Sequence, residues 1–268
     1  MPAVILIRGA GDLASGVALR LYRAGLNVIM TELVRPRAVR RTVTFAEAIY
    51  EVRVSVEGVV GRKIEDPTDT PEIVRVLAAH QIPVLVDPTC LVAARLNPLV
   101  IVDGRMTKRP PDTLQDSALL YIGLGPGFVA PDNCGAVIET ERGHSMGRVI
   151  VQGSARTDSR QPDGDPRRVL RAPAHGILES AADIGQHVEE GQVIATVDGQ
   201  PVLAPFGGIL RGLLRPGVVA HKGMKIGDID ARNDPALCTL VSDKSLAVGG
   251  GVLEAILARP EVRVQLWA

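Results

Sequence analysis

Runs of consecutive apolar residues, rather than alternating apolar and polar ones, dominate the first half of the chain. Such runs are typical of strands in a parallel sheet that is covered on both faces. They predict strands at 4–7, 27–32, 83–87, 99–103 and 119–123, with helices at 12–23 and 70–80 between them. We therefore expect an α/β fold class, a Rossmann-like doubly wound parallel sheet.

An internal repeat follows a polar, turn-rich segment (152–168) that we interpret as a linker. Ala172-Pro173-x-x-Gly176-Ile177-Leu178 recurs 32 positions later as Ala204-Pro205-x-x-Gly208-Ile209-Leu210. Neither copy can bury a core alone, so we expect two interlocked copies in one small β domain. These positions resemble the biotinyl/lipoyl carrier fold, which implies an inserted all-β barrel-sandwich hybrid. The hairpin between the copies (197–201) has no lysine, so we expect no covalent biotin or lipoate.

The last helix is predicted from about Asp243 to Ala258, capped by Ser242. It contains Gly249-Gly250-Gly251, and each glycine costs about 1 kcal/mol in a helix interior. Something must need the close approach that glycine permits, and we expect this helix to pack on the first domain. The expected domains are a nucleotide-binding domain (1–165, completed by 236–268) and a β domain (168–232).

Composition excludes several classes of partner. The 30 basic and 30 acidic residues balance, so no basic face is indicated for a nucleic acid, and only 3% of residues are aromatic. No apolar run approaches the roughly 18 residues of a membrane span. The three cysteines are widely spaced and form no CxxC pair, which suits a reduced compartment. We expect a cytoplasmic protein with no membrane partner.

The segment Gly9-Ala10-Gly11-Asp12-Leu13-Ala14 follows the first strand and opens a helix, as the G-x-G-x-x-G/A pattern requires. Gly9, Gly11 and Ala14 would let a pyrophosphate approach the backbone, and Glu32 stands where an acid binds a ribose hydroxyl. The alternative is that these small residues only permit tight strand–helix packing. Asp12 opposes the nucleotide interpretation, since its carboxylate would repel a phosphate.

Four arginines follow the second strand: Arg35, Arg37, Arg40 and Arg41. They form either an anion clamp or a solvated basic loop. Polar residues also follow three later strands. In open α/β sheets, ligands bind at the carboxyl ends of the strands. The candidates there are Asp87, Asp103, Arg105, Gly123, Gly125 and Gly127.

Candidates for catalytic chemistry are sparse. His144 and Lys108 are candidates for proton transfer, and Cys134, like Cys90, for a thiolate that binds metal or carries sulfur. The alternatives are an exposed histidine and small buried hydrophobic cysteines. No paired His or Cys spacing predicts a metal site built by the protein.

Together these residues resemble accessory proteins of selenium-dependent molybdenum hydroxylases of the YqeB type. The resemblance is carried by the segments 7–18, 40–48, 102–106, 123–128, 139–144 and 249–255. It implies a Rossmann-like protein, related in style to XdhC-type chaperones, that helps to mature such a hydroxylase. The implied partners are the hydroxylase or its maturation proteins and a small-molecule nucleotide.

Three functions stay open at this stage. The first is an accessory protein that binds a nucleotide or molybdenum-cofactor-type ligand, either NAD(P) or a molybdopterin-type compound. The second is an NAD(P)-dependent oxidoreductase acting on a small molecule, and the third is a β domain that docks a partner. Whether the protein is an enzyme, and whether it forms a homo-oligomer, also stay open.

Overall fold

A computed structural model describes residues 3–107, 110–157 and 164–267 of the chain. Within these ranges the first 154 residues contain eleven strands. They are β1 (Val4–Arg8), β2 (Asn27–Glu32), β3 (Arg53–Val56), β4 (Val59–Ile64), β5 (Ile82–Val86), β6 (Val100–Asp103), β7 (Leu120–Leu124), β8 (Val129–Ala130), β9 (Ala136–Ile138), β10 (Val149–Ile150) and β11 (Gly153–Ser154). The α-helices are α1 (Asp12–Arg23), α2 (Ala48–Glu51), α3 (Thr70–Ala78), α4 (Ala93–Leu96), α5 (Asp243–Leu257) and α6 (Pro260–Arg263). In the described part of the chain, none of the helices is both long and apolar enough to cross a membrane.

Nine of these strands, in the described residues, form one large sheet in the order β10-β9-β7-β6-β1-β2-β5-β4-β3. Every pairing between β9 and β4 is parallel. At the two edges, β10 and β3 pair antiparallel with their neighbours. The five predicted strands are confirmed as β1, β2, β5, β6 and β7, whose continuous apolar residues are buried on both faces of the sheet.

The two faces of the sheet are covered unequally. On one face, Ile5 and Ile7 of β1 share a core with residues of α1 and α5. On the other face, Val4 and Leu6 share a core with the shorter helices α3 and α4. The predicted helix at 70–80 ends at Ala78, because the chain turns at His80, which has a positive φ of 53°.

The expected fold class, a Rossmann-like doubly wound parallel sheet with a barrel-sandwich hybrid domain, is wrong. The large sheet is mixed, because the β3–β4 hairpin and strand β10 add antiparallel edges. The later residues form separate antiparallel sheets instead of the expected barrel-sandwich hybrid. Apolar runs identified the central strands, but edge strands such as β3 are polar and exposed on one face and carry no such signal.

Helix α5 packs against α1 where both have small residues. A Cβ built on Gly16 of α1 would lie 2.4 Å from the Cβ of Ser245, and one on Gly249 would lie 3.0 Å from the carbonyl oxygen of Gly16. A Cβ on Gly251 would lie 2.2 Å from the carbonyl oxygen of Gly147. The close approach predicted from the glycine triplet is therefore confirmed at two of its three positions, since Gly250 has open space around it.

The repeat region contains eight further strands among its described residues. They are β12 (Val169–Arg171), β13 (Gly176–Ser180), β14 (His187–Val188), β15 (Val193–Val197), β16 (Gln200–Leu203), β17 (Gly208–Leu213), β18 (Val219–Ala220) and β19 (Lys225–Asp230). Their sheets have the orders β12-β19-β17-β14 and β16-β15-β13-β18 around one apolar core. Strands β17, β18 and β19 lie 32 positions after β13, β14 and β15 and correspond to them in the second copy of the repeat. Each sheet contains two strands from each copy. We call residues 169–230 the repeat region.

A loop after β2 joins the repeat region to the large sheet. The amide N–H of Leu213 donates to the carbonyl of Val39 at 2.9 Å, and Nε of Arg41 donates to the carbonyl of Leu213 at 2.7 Å. Arg215 forms an ion pair with Glu47 at 2.9 Å. The expected boundaries at 165, 168 and 232 stay predictions.

Candidate ligand site at the carboxyl edge of the large sheet

The carboxyl ends of the central parallel strands meet at one edge of the large sheet. The register places Arg8 of β1 beside Asp103 of β6. Asp103 lies in turn beside Gly123 of β7. On the other side, the amide N–H of Asp87, just after β5, donates to the carbonyl of Glu32 at 3.1 Å. The fold therefore brings the predicted strand-end residues to a common edge.

Arg8 is the centre of a buried network at this edge, with a relative exposure of 1%. Its Nη1 donates to the Asp112 carbonyl at 2.6 Å and to the Tyr121 hydroxyl at 3.0 Å, and lies 3.4 Å from the Asp103 carboxylate. The Tyr121 hydroxyl donates to Asp103 at 2.8 Å. Burial and the charge of Asp103 raise the pKa of Tyr121, so the phenol stays protonated and can donate. The Nε of Arg8 is buried without a hydrogen-bond partner among the described residues, which leaves one donor unused.

Arg105 and Asp112 close the network from the solvent side. Arg105 holds Asp103 through Nε at 3.0 Å and Nη2 at 2.6 Å, and donates from Nη1 to Asp112 at 2.7 Å. Nη2 of Arg8 donates to the other carboxylate oxygen of Asp112 at 2.9 Å. Partial burial alone would raise the pKa of Asp112, but the hydrogen bonds from Arg8 and Arg105 lower it to about 2. The side chain of Asp112 is 72% exposed, so one exposed carboxylate bridges two arginines.

Glu32 is turned toward the backbone of its own chain. Its Oε2 accepts from the amide N–H of Ala10 at 2.8 Å, and its Oε1 from that of Leu33 at 2.7 Å. Burial raises the pKa of Glu32 in spite of these two hydrogen bonds. Both carboxylate oxygens are thus engaged where a ribose hydroxyl was expected to bind.

The first glycine-rich loop is covered by the residues that follow β6. A Cβ built on Gly9 would lie 3.3 Å from the backbone of Arg105, and one on Gly104 would lie 2.9 Å from the Cβ of Ala14. Gly11 is the N-cap of α1. A Cβ built on Gly11 would meet no other heavy atom within 4 Å. Because Glu32 is engaged and this loop is covered, the expectation of an NAD(P)-binding loop of the Rossmann type is wrong.

Asp12 and Arg40 stabilise the start of α1. Nη1 of Arg40 lies 3.2 Å from the Asp12 carboxylate, which also accepts from the Ser245 hydroxyl at 2.9 Å. Nη2 of Arg40 donates to the carbonyls of Leu237 and Leu240 at 3.0 and 2.8 Å. The structure therefore uses Arg40 to join α1 to the segment before α5, and the negative charge of Asp12 is paired.

The remaining predicted binding residues have local roles. Arg41 donates to the Leu213 carbonyl, as described above, and Asp87 accepts from the amide N–H of Val92 at 2.8 Å. Gly125 and Gly127 have φ values of +73° and +102°, which favour glycine. They shape the turn after β7 at the same edge.

Two of the three catalytic candidates, Cys134 and His144, lie in the described residues. Cys134 is buried, and burial raises its pKa to about 11; the same holds for Cys90. His144 is exposed on the segment after β9. Lys108 lies outside the described residues.

Sequence reasoning missed three members of the network: Arg8, Asp112 and Tyr121. Arg8 ends an otherwise apolar strand, and a charged residue at the end of a buried run is the one local signal that pointed to it. Asp112 and Tyr121 are brought in by tertiary contacts, so their own neighbours in sequence do not indicate them.

A further local pattern recurs at three places, and we call it the Asp-x-Arg clamp. In each clamp the arginine backbone N–H, Nε and Nη2 all donate to the aspartate two residues earlier. The clamps are Asp103–Arg105, Asp165–Arg167 and Asp230–Arg232. Only the surroundings of each clamp decide what else it binds.

Comparison with known proteins gives one sequence relative and several distant structures. A scan against protein-family models finds no match. The chain is 46% identical over 258 residues to "Uncharacterized protein YqeB" of Escherichia coli K12, which covers 95% of this chain and 47% of that protein. The chain thus spans about half the length of this relative. The likeness is consistent with the resemblance to YqeB-type proteins.

Three solved structures cover 85% of this chain with TM-scores of 0.26, 0.26 and 0.25. They are an aspartoacylase family protein of Mesorhizobium loti, a succinylglutamate desuccinylase/aspartoacylase of Rhodobacter sphaeroides and the ectoine utilization protein EutE of Ruegeria pomeroyi. Sequence identities are 10, 11 and 13%, and the matches cover 84, 85 and 85% of those chains. Their names are those of aspartoacylase, desuccinylase and ectoine-utilization proteins, not of molybdenum hydroxylase accessory or NAD(P)-binding Rossmann proteins. At these TM-scores the likeness transfers neither their fold nor their chemistry.

Proposed function

We propose that the protein binds a small phosphorylated ligand of the nucleotide class at the carboxyl edge of its large sheet. The observation that carries this proposal is the bridging of Arg8 and Arg105 by the exposed carboxylate of Asp112. Two guanidinium groups that converge on one anionic group match the geometry of a phosphate or carboxylate. The phosphate would take the place of Asp112.

The surroundings of the two arginines support binding of an anion. Asp103 fixes the guanidinium of Arg105 through two hydrogen bonds, so this side chain loses little conformational freedom on binding. The buried Nε of Arg8 is a further donor, and it has no hydrogen-bond partner among the described residues. The thiols of Cys90 and Cys134, whose pKa values are about 11, stay protonated at neutral pH, which favours binding over thiolate chemistry.

The wider role that we propose is assistance to a selenium-dependent molybdenum hydroxylase during its maturation. This part of the proposal is supported by the sequence resemblance alone, and a molybdopterin-type nucleotide is the ligand that fits it. A test is co-purification of the full chain with hydroxylase subunits. Retention that is reduced in the variant Arg105→Met supports a role for the edge, whereas no retention of any subunit contradicts the accessory role.

Calorimetric titration tests the ligand site itself. Nucleoside mono- and diphosphates and inorganic phosphate are titrated into wild type, Arg105→Met and Arg167→Met. Arg167 belongs to an exposed Asp-x-Arg clamp just before the repeat region, so it is the matched control. A hydrogen bond to a charged group contributes about 1.5–3 kcal/mol, so we expect Arg105→Met to weaken binding about tenfold to a hundredfold.

The control should bind like wild type, with thermal unfolding confirming that both variants are folded. Absence of saturable binding by wild type to every compound contradicts the proposal. Equal affinity of wild type and Arg105→Met contradicts the assignment of the site.

A further inference from the structure

Two histidines face each other across a strand pair of the repeat region. Strands β13 and β18 pair antiparallel, with Gly176 opposite Ala220. Extending this register by one position places His175 opposite His221. Their Nδ1 atoms lie 2.9 Å apart and their ring centroids 4.9 Å apart. Both side chains are exposed, so the two ring nitrogens point at each other at the protein surface.

The contact between the rings has two chemical interpretations. One imidazole can donate its Nδ1–H to the Nδ1 lone pair of the other, which requires opposite tautomers. Alternatively, both lone pairs can be directed at one cation. Imidazole nitrogen is a favoured ligand of copper, nickel and zinc. Two such nitrogens held at this separation by paired backbones would act as a chelate, since the strands have already fixed the side chains in position.

The internal repeat shows that the fold does not require this pair. A shift of 32 residues turns His175 into Gly207 and His221 into Glu189. These two equivalents are also neighbours, since a Cβ built on Gly207 would lie 3.6 Å from a carboxylate oxygen of Glu189. The same backbone arrangement thus occurs twice, once without the two imidazoles. The histidines are an addition to the repeat architecture and not a packing element of it.

We propose that His175 and His221 chelate a divalent transition-metal ion of the copper, nickel and zinc class through their Nδ1 atoms. Among the described residues there is no group of three or more His, Cys, Asp or Glu side chains that could hold a metal. The ion would therefore have two protein ligands and complete its coordination with water. Such an open surface site can exchange its metal or accept a ligand from a partner.

Titration of the full chain, without a histidine tag, tests this site. Cu²⁺, Ni²⁺ and Zn²⁺ are added to wild type, His175→Ala, His221→Ala and the control His187→Ala. His187 is another partly exposed histidine of the repeat region, bonded to Asn233 at 2.9 Å and to Glu189 at 3.1 Å. We expect one saturable site in wild type and in the control. Loss of either ligand should weaken it at least about tenfold, the range that losing even an outer-shell partner costs.

Spectroscopy of the copper-loaded protein gives a second readout. The electron paramagnetic resonance spectrum of wild type should show coupling to two imidazole nitrogens, and that of His175→Ala should not. Because both residues are exposed, the alanine variants should fold, which thermal unfolding checks. No saturable binding in wild type overturns the proposal, and so does equal affinity across wild type, His175→Ala and His187→Ala.

Discussion

The Asp-x-Arg clamps at 103–105 and 165–167 have the same local geometry but very different surroundings. In both, the arginine holds the aspartate through Nε and Nη2. Asp103 is 1% exposed and also meets Arg8 and Tyr121, whereas Asp165 is 40% exposed and its pair faces water. Hydrogen bonds from Arg167 lower the pKa of Asp165. The exposed clamp therefore depends on contacts within three consecutive residues.

The clamp is determined by residues close together in sequence, whereas the groups that surround it are determined by the fold. The clamp itself needs only an aspartate, a spacer and an arginine. How much a clamp contributes to folding stability depends on its burial. Exposed ion pairs contribute little, whereas a buried charge that loses its partner strongly destabilises the fold. The binding site that we propose arises where the fold adds Arg8 and Asp112 to such a clamp.

The largest effect expected is the loss of Asp103. The variant Asp103→Asn keeps the shape of the side chain but removes the negative charge beside buried Arg8. Breaking a buried ion pair in this way destabilises a protein by about 3–5 kcal/mol. Urea unfolding of wild type and variant measures the difference.

The matched change in the exposed clamp is Asp165→Asn. We expect its urea midpoint to stay close to that of wild type. If the two variants lose similar stability, burial is not what distinguishes the clamps, and the comparison fails.

A smaller effect is expected from neighbouring glycines in α5, where the same substitution meets different surroundings. Gly251→Ala would place a Cβ 2.2 Å from the carbonyl oxygen of Gly147, whereas Gly250 has open space. Overpacking costs about 1–3 kcal/mol, so Gly251→Ala should destabilise the protein. Gly250→Ala should stabilise it by up to about 1 kcal/mol through helix propensity. Thermal unfolding of both variants checks the signs, and equal signs would contradict this packing.

The smallest effect concerns the acid dependence of stability at Asp112. Its pKa is lowered to about 2, so its ion pairs stabilise the fold above the unfolded value of 3.8 and are lost as the pH falls toward 2. Wild type should therefore be more stable than Asp112→Asn at neutral pH, and the difference should shrink between pH 4 and pH 2. A difference that grows in acid would contradict the arrangement.

Much of the fold follows from the sequence because its signals are local. The apolar runs of β1, β2, β5, β6 and β7, the helical spacing of α1 and the cap at Ser242 each lie within a few residues. The repeat was visible because two copies of one β unit keep their glycines at the same spacing. The glycine triplet predicts a close approach of the last helix to the first domain, and the structure identifies α1 as a partner of α5 there.

The rest depends on contacts between distant residues. The hairpin β3–β4 is at an edge, where polar and apolar residues mix, so it lacked the apolar run of a central strand. The position of Glu32 in sequence predicts a ribose ligand, but in the fold its carboxylate accepts hydrogen bonds from the amides of Ala10 and Leu33. Asp112 meets Arg8 across 104 residues, a contact that no local pattern specifies.

The affinity of Asp112→Asn for the nucleotide that wild type binds tests the central claim most directly. Asp112 occupies the position proposed for the phosphate and engages both arginines, so it competes with the ligand. Its exposed side chain makes a folded variant expected, and thermal unfolding confirms it. We predict a lower dissociation constant for Asp112→Asn than for wild type by calorimetry. A dissociation constant that is unchanged or higher would contradict the assignment of Arg8 and Arg105 as the anion site.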